Sequence, residues 1–597
     1  MKKICMGNEA IALGAIKAGV RVVAGYPGTP STEIIETLIA EKNPHVNVQW
    51  STNEKTALEV AAGAAYTGAR SMATMKQVGL NVASDPLMSL AYIGVEGGMV
   101  VTVADDPGPW SSQTEQDTRS FAKHANLPVF DPSSPEEAFE MVQAAFELSE
   151  EFKLPVLLRP TTRVCHASAT VELGEFSEPK EAPGFEKRPE WCIFPALSYR
   201  RHGEIEIKQR ELSEKFSAMR EFNFVITGGR KGIATSGIAY LYAKEIVREY
   251  SLDISILKIG TPYPMPEKLA VDFMHHLDSV LVIEELDPVI EEQMLIISNG
   301  QTPIMGKRTG HLPYNGEYSY ETVKKAIFKF MRIAAKESDS QPLPEMPMRP
   351  PVLCAGCPHR ASFYEVKTAT KHTEKPVYCG DIGCYTLGNA APLNMVDTCL
   401  CMGAGITIAQ GITLAEPGAK CVAFVGDSTF FHTGIPGIIN AVYQNTDITV
   451  VVLDNHTTAM TGHQPHPGTG MTAMGAPAKA LDIETMLRAC GMEEIYTVNP
   501  FDYDEAVDVF KKAIAYNGPS AVITKAPCIA QMKKPGTVHR VNENCIGCLK
   551  CIKLLGCPAM TPNGNNKVVI NESLCTACGL CTNVCPVGAI KRGERNA

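Results

Sequence analysis

Apolar residues along this chain follow two alternating rhythms. Short unbroken runs, Val22–Gly25, Ser71–Met75, Met99–Ala104 and Val156–Leu158, have the length and the β-branched content of buried strands. Between them lie stretches with helical spacing, such as Glu54–Thr67. Strand and helix in alternation predict doubly wound parallel sheets with helices on both faces, an α/β multidomain chain. Residues 1–170 form one such unit. Residues 171–221 are charged, Pro-containing and weakly periodic, and read as a linker or excursion. A second α/β unit spans 222–335, through FNFVITGG, DISILKIGTPYP and SVLVIEE. Residues 336–351, with ESDSQPLPEMPMRPP, read as a Pro-rich linker. A third α/β unit covers 352–535, and a short Cys-rich unit covers 536–597.

Composition narrows the function classes. The 597 residues are too many for one core, and no apolar run is long enough to cross a bilayer. The N-terminus, MKKICMGNEAIALGA, has a broken apolar stretch and no evident cleavage site, so a cytoplasmic protein is expected. A net charge of −10 spread along the chain argues against a nucleic-acid partner. Twenty cysteines with repeated CxxC spacing, without a secretory signal, point to metal or redox work rather than to disulfides.

The tail carries the most specific spacing. Cys575-x2-Cys578-x2-Cys581-x3-Cys585-Pro586 lets three thiolates wrap one [4Fe–4S] cluster while the fourth reaches a second. The partner run is Cys545-x2-Cys548-x2-Cys551-x5-Cys557-Pro558, whose long last gap makes Cys557 the least ordinary ligand. Crossed ligation assigns Cys545, Cys548, Cys551 and Cys585 to one cluster, and Cys575, Cys578, Cys581 and Cys557 to the other. Zinc also binds CxxC pairs but does not need two copies of three cysteines followed by Cys-Pro. Residues 536–597 hold seven Lys or Arg against three Glu, a formal +4. That charge either faces an acidic electron carrier or offsets the clusters.

In the third α/β unit, Gly426-Asp427-Ser428 follows the run CVAFV, and Asp454-Asn455 follows TVVVL. Two adjacent strand ends carrying a carboxylate and an amide supply hard oxygen ligands for a Mg2+ ion and a diphosphate. The Gly-Asp pair followed 29 positions later by Asn resembles the thiamine diphosphate motif, departing from it at Ser428, where the motif often has Gly. Tyr26-Pro-Gly-Thr-Pro-Ser-Thr32, Asn53-Glu54-Lys55 and Lys76-Gln-Val-Gly-Leu80 resemble the pyrimidine domain of 2-oxoacid:ferredoxin oxidoreductases. The match implies Glu54 as the catalytic carboxylate and Thr29 as a contact to the substrate carboxylate. Without it, Glu54 reads as a helix N-terminal acid favoured by the macrodipole.

Over nearly its whole length the chain resembles the large subunits of the indolepyruvate:ferredoxin oxidoreductase family. The resemblance rests on DDPGPWSSQTEQDTR (105–119), CAGCPHR (354–360), GDSTFFHTGIPG (426–437) and DNHTTAMTGHQPHPGTG (454–470). It implies two thiamine-binding domains, a transketolase-C-terminal-like domain at 222–335 and a two-cluster ferredoxin domain. It further implies thiamine diphosphate, Mg2+ and coenzyme A, and oxidative decarboxylation of an aryl 2-oxoacid, indole-3-pyruvate, to its acyl-CoA. Electrons would pass to ferredoxin, and a smaller beta subunit would complete a heterodimer or a dimer of heterodimers. The family match offers the Thr457 carbonyl as a metal ligand. It also places a third cluster on Cys354, Cys357, Cys384 and Cys528, against the plainer reading of buried free thiols. Arg119 and Gln113 are further substrate contacts to consider, and His432, His456, His463 and His466 lie near the expected site without assigned roles. Two rival functions stand: an electron-transfer subunit with a relic thiamine site, and the same chemistry on pyruvate or branched 2-oxoacids.

Overall fold

The computed structural model describes residues 2–176, 181–334, 346–347, 350–533 and 537–593, and forms two compact units, Met1–Gln341 and Pro342–Ala597. Most of the expected Pro-rich linker lies outside the described residues. Among them, no helix is long and apolar enough to cross a membrane.

The first unit begins with a six-stranded sheet: β1 (Val22–Gly25), β2 (Asn47–Trp50), β3 (Ser71–Lys76), β4 (Met99–Ala104), β5 (Val129–Phe130) and β6 (Val156–Leu158). Their order across the sheet is β2-β1-β3-β4-β6-β5, every pair parallel. β4 is buried along its whole length, as a strand covered on both faces must be. The second sheet holds β7 (Asn223–Ile226), β8 (Lys231–Thr235), β9 (Ser255–Ile259), β10 (Ser279–Ile283) and β11 (Ile304–Met305), in the order β11-β10-β8-β9-β7. Only β7 runs antiparallel, against β9. The glycine-rich turn 227–230 leads from β7 into strand β8 rather than into a helix, so it offers no helix N-terminus to a phosphate.

The excursion conceals a 24-residue helix, Pro195–Ala218, that the hydrophobic pattern did not announce. Only Ile205, Leu212, Phe216 and Ser217 of it are buried, so its apolar stripe is too thin to register against so many charged neighbours.

The second unit is built on a five-stranded parallel sheet, β12 (Pro376–Cys379), β13 (Lys420–Gly426), β14 (Ile448–Asp454), β15 (Glu494–Val498) and β16 (Ser520–Lys525), ordered β12-β13-β14-β16-β15. Strands β13 and β14 sit side by side, with Gly426 opposite Leu453. The tail adds two short antiparallel pairs, His539–Val541 with Ile590–Arg592 and Met560–Pro562 with Val568–Ile570. A small core of Leu555, Met560, Val568, Leu580, Val584 and Ile590 anchors it on Ala361 of helix α1 (Pro358–Ala369).

Candidate active site and cluster sites

Four of the signature stretches meet at the carboxyl ends of β1, β3 and β4. Asn53 caps the helix Glu54–Tyr66 by accepting from the Thr56 N–H at 2.9 Å, which leaves Glu54 in the first turn. An acid that only served the helix dipole would sit in water, but Glu54 is 5% exposed. Its carboxyl group packs on Gly79, where a Cβ would stand 2.5 Å from Oε1. The loop after β1 is closed by Gly28 N–H donating to Thr32 Oγ1 at 3.0 Å and Ser31 Oγ–H donating to Gly28 O at 2.8 Å. Thr29 O accepts from Ser111 Oγ at 3.0 Å, and the Lys76 ammonium donates to Ser111 O at 3.1 Å, so the 105–119 stretch closes over both. Burial holds Lys76 below the ordinary lysine range, while the carboxylates of Asp106 and Glu54 pull it back up. Lys76 therefore stands beside the carboxylate expected to be catalytic, a position its place in the sequence motif did not reveal.

Arg119 turns inward instead of towards a substrate. It is fully buried; Nη1 donates to Glu284 Oε2 at 2.7 Å, and Nη2 donates to Asp117 Oδ2 at 2.6 Å and to the carbonyls of Glu285 and Asp287. With its guanidinium committed to these acceptors, Arg119 is structural. Gln113 is exposed.

In the second unit, the strand-end residues expected to bind metal and diphosphate are brought together. Asp427 Oδ1 accepts from Ser428 N–H at 2.8 Å, and Oδ2 accepts from Asn455 N–H at 3.1 Å, which ties the ends of β13 and β14 to one another. Gly426 is required because a Cβ there would come within 2.7 Å of the Tyr385 ring. Two histidines fix the Asp427 and Asn455 side chains. His466 Nδ1 accepts from Gly468 N–H at 3.2 Å, so Nε2, 3.1 Å from Asp427 Oδ2, is the donor to that carboxylate. Burial pushes the Asp427 carboxyl up, but His466, the Ser428 N–H and His359 together hold the group below the usual carboxylate range.

His359, from the CAGCPHR stretch, performs the corresponding service for Asn455. The Asn455 amide nitrogen lies 3.2 Å from His359 Nε2 and can only donate, which makes Nε2 an acceptor and turns Asn455 Oδ1 away from the ring. Burial pulls His359 down to about 4, so it is neutral and able to accept. Thr457 N–H reaches Asn455 Oδ1 at 3.2 Å, and the buried Thr457 Oγ1 has no partner among the described residues. A carboxylate, an amide oxygen and the oxygens of Thr457, its carbonyl and this orphaned hydroxyl, form a donor set that fits a hard cation with a diphosphate. Ser428 is bound by Thr458 Oγ1 at 2.9 Å. Of the other loop histidines, His432 is buried beside Thr433, and His456 sits at the surface against Asp454.

The two cysteine quartets of the tail wall two separate cavities. Cys545, Cys548, Cys551 and Cys585 line one, and Cys557, Cys575, Cys578 and Cys581 line the other, Cys557 included despite its long gap. Among the described residues no three His, Cys, Asp or Glu side chains close on a single ion, but a cubane needs its sulfurs spread around a volume rather than a point.

The inner cysteines reach from the Asp427–Asn455 crevice, through Cys528, to the tail, through Cys357. Cys528 N–H donates to Asn455 O at 3.1 Å. Burial pushes the Cys384 thiol up to about 11, and the charges of Cys528, Cys354 and Asp427 act in the same direction, so these groups are neighbours. Cys357 N–H donates to Cys354 O at 3.2 Å, and the Cys357 side chain borders the cavity of Cys557, Cys575, Cys578 and Cys581.

Family models match in the same places. One described as pyruvate flavodoxin/ferredoxin oxidoreductase, thiamine diphosphate-binding, covers residues 13–197. The thiamine pyrophosphate enzyme C-terminal TPP-binding domain covers 381–524, and a 4Fe-4S binding domain covers 568–591. Indolepyruvate oxidoreductase subunit IorA of Archaeoglobus fulgidus is 42% identical over 100% of this chain and 98% of its own length. The subunit of the same name from Methanothermobacter marburgensis is 42% identical over 99% and 97%, and that from Pyrococcus horikoshii 40% over 99% and 97%.

Proposed function

Because the chain belongs to the indolepyruvate oxidoreductase IorA family, thiamine-dependent 2-oxoacid:ferredoxin oxidoreductases with iron–sulfur clusters, we propose that it oxidatively decarboxylates aryl 2-oxoacids, indole-3-pyruvate among them. In this reading coenzyme A takes the acyl group and ferredoxin takes the electrons. A smaller beta subunit completes the enzyme, in the cytoplasm, as a heterodimer or a dimer of heterodimers. The observation that carries the proposal is the crevice of Asp427 and Asn455 with Cys528 hydrogen-bonded to its rim and a chain of cysteines leading from it to the tail.

Asp427, Asn455 and the Thr457 carbonyl would hold Mg2+ and the diphosphate, with His466 and His359 keeping the first two in position. Glu54 would hydrogen-bond the pyrimidine ring and exchange a proton with it. Bound thiamine diphosphate supplies the carbanion equivalent that no amino-acid side chain provides. Thr29, with Lys76 beside it, receives the substrate carboxylate, and this cationic end tells a 2-oxoacid from an aldehyde. Cys354, Cys357, Cys384 and Cys528 would hold an inner cluster near the Asp427–Asn455 crevice, and the two tail quartets would continue the path outward.

The complete complex should reduce viologen in a coenzyme A-dependent reaction, faster per KM with indole-3-pyruvate and other aryl 2-oxoacids than with pyruvate or branched ones. The reverse order would move the substrate class; no turnover with any 2-oxoacid would favour an electron-transfer subunit with a relic site. Iron analysis of the same preparation reads the cluster number: roughly twelve irons per chain with the inner cluster, roughly eight without it.

A further inference from the structure

Arg360 follows directly on the residues that serve the inner cysteines and the metal crevice, yet faces the tail. It is 4% exposed. Nη1 donates to Leu555 O at 2.5 Å and Gly556 O at 3.0 Å, at the end of helix α2 (Lys550–Leu555); Nη2 donates to Leu353 O, and reaches Cys354 O at 3.4 Å. Its four contacts are carbonyls, so hydrogen bonding is partly met and its charge is not. A buried cation without a carboxylate is costly, and its compensation must come from elsewhere. The expected sulfur ligands stand on both sides of it: Cys354 at its Nη2, and Cys557, Cys575, Cys578 and Cys581 around the second tail cavity. Arg360 itself lines that cavity, the only arginine among the described residues that line either one. Its Nε–H is buried without an acceptor among the described residues.

We propose that Arg360 sets the reduction potential of the cluster held by Cys557, Cys575, Cys578 and Cys581, donating its Nε–H to a cluster sulfur and placing its charge between that cluster and the inner cysteines. This rests on the cluster assignment above. Adding one electron to the cluster adds one negative charge; a nearby cation and an N–H···S bond stabilise that form and raise the potential. Among the described residues no arginine lines the cavity of Cys545, Cys548, Cys551 and Cys585, whose Cys585 sulfur accepts from the Ala589 backbone N–H instead, so the outer cluster should not respond. Arg360 is thus a positioning and tuning residue, drawing electrons out of the inner site and towards the tail.

Potentiometric titration of the holoenzyme followed by EPR tests this. Arg360→Gln, loaded with wild-type iron, should shift one tail cluster to lower potential and leave the other unchanged; Arg360→Lys should recover part of the shift by restoring the charge. Because glutamine leaves carbonyls unpaired and the variant could fail to load, the wild-type enzyme labelled with 15N-arginine gives an independent readout. Pulsed EPR of its reduced clusters should show an arginine 15N coupling. Loaded Arg360→Gln with unchanged potentials, or wild-type clusters without that coupling, overturns the proposal. Wild-type protein with no reducible cluster would overturn the cluster assignment instead.

Discussion

Glu54→Gln should lower coenzyme A-dependent viologen reduction by about 10³-fold, within the range by which a positioned acid–base group contributes, with iron content and visible spectrum unchanged. Glutamine keeps the size that fits against Gly79 and leaves the Asn53 cap untouched, so helix Glu54–Tyr66 should survive. It removes the one property the proposal needs, a carboxylate that can take and return a proton. A surface acid at a helix start would cost at most about 1 kcal/mol of stability when neutralised and nothing in turnover. Unchanged activity in steady-state assays of the complex would mean that Glu54 is such an acid, and would favour the relic-site reading.

The second large effect concerns the metal crevice. Asp427→Asn should weaken Mg2+-dependent binding of thiamine diphosphate by at least about 100-fold, more than the 10–100-fold typical of losing an outer partner of a metal ligand. Asp427 accepts from two backbone N–H groups and from His466, and an amide there would set a second donor against at least one of them while surrendering the negative charge. His359→Leu, which frees the Asn455 amide to rotate, should cost roughly 10–100-fold in the same titration. Calorimetric titration of the cofactor against the loaded protein, with and without Mg2+, measures both variants. Wild-type affinity in Asp427→Asn would remove the metal assignment.

These residues were not equally legible in the sequence. The tail cysteines could be grouped into quartets from spacing alone, and the fold sets each quartet around its own cavity. The strands that carry Asp427 and Asn455 were equally plain, since fully buried parallel strands are continuous apolar runs. Patterning could not show which side chains fold onto those ends from elsewhere. His359 reaches Asn455 across 96 positions and His466 reaches Asp427 across 39, contacts that only the folded chain creates. Arg119 stands in a signature stretch and looked free to meet a substrate; Glu284, which captures it, is 165 residues away. The helix Pro195–Ala218 escaped for a different reason, since it buries too little to impose a period on its sequence.

The central claim is that one thiamine diphosphate is held through its metal by Asp427 and Asn455 and activated at its pyrimidine ring by Glu54. A cryo-EM map of the complete complex loaded with Mg2+ and thiamine diphosphate tests it most directly. The account predicts the Glu54 carboxylate at hydrogen-bond distance, about 2.6–3.2 Å, from a pyrimidine ring nitrogen, with the metal on the carboxylate of 427 and the amide oxygen of 455. A cofactor seated with its ring against any other residue, with Glu54 out of reach in every copy of the chain, would contradict it.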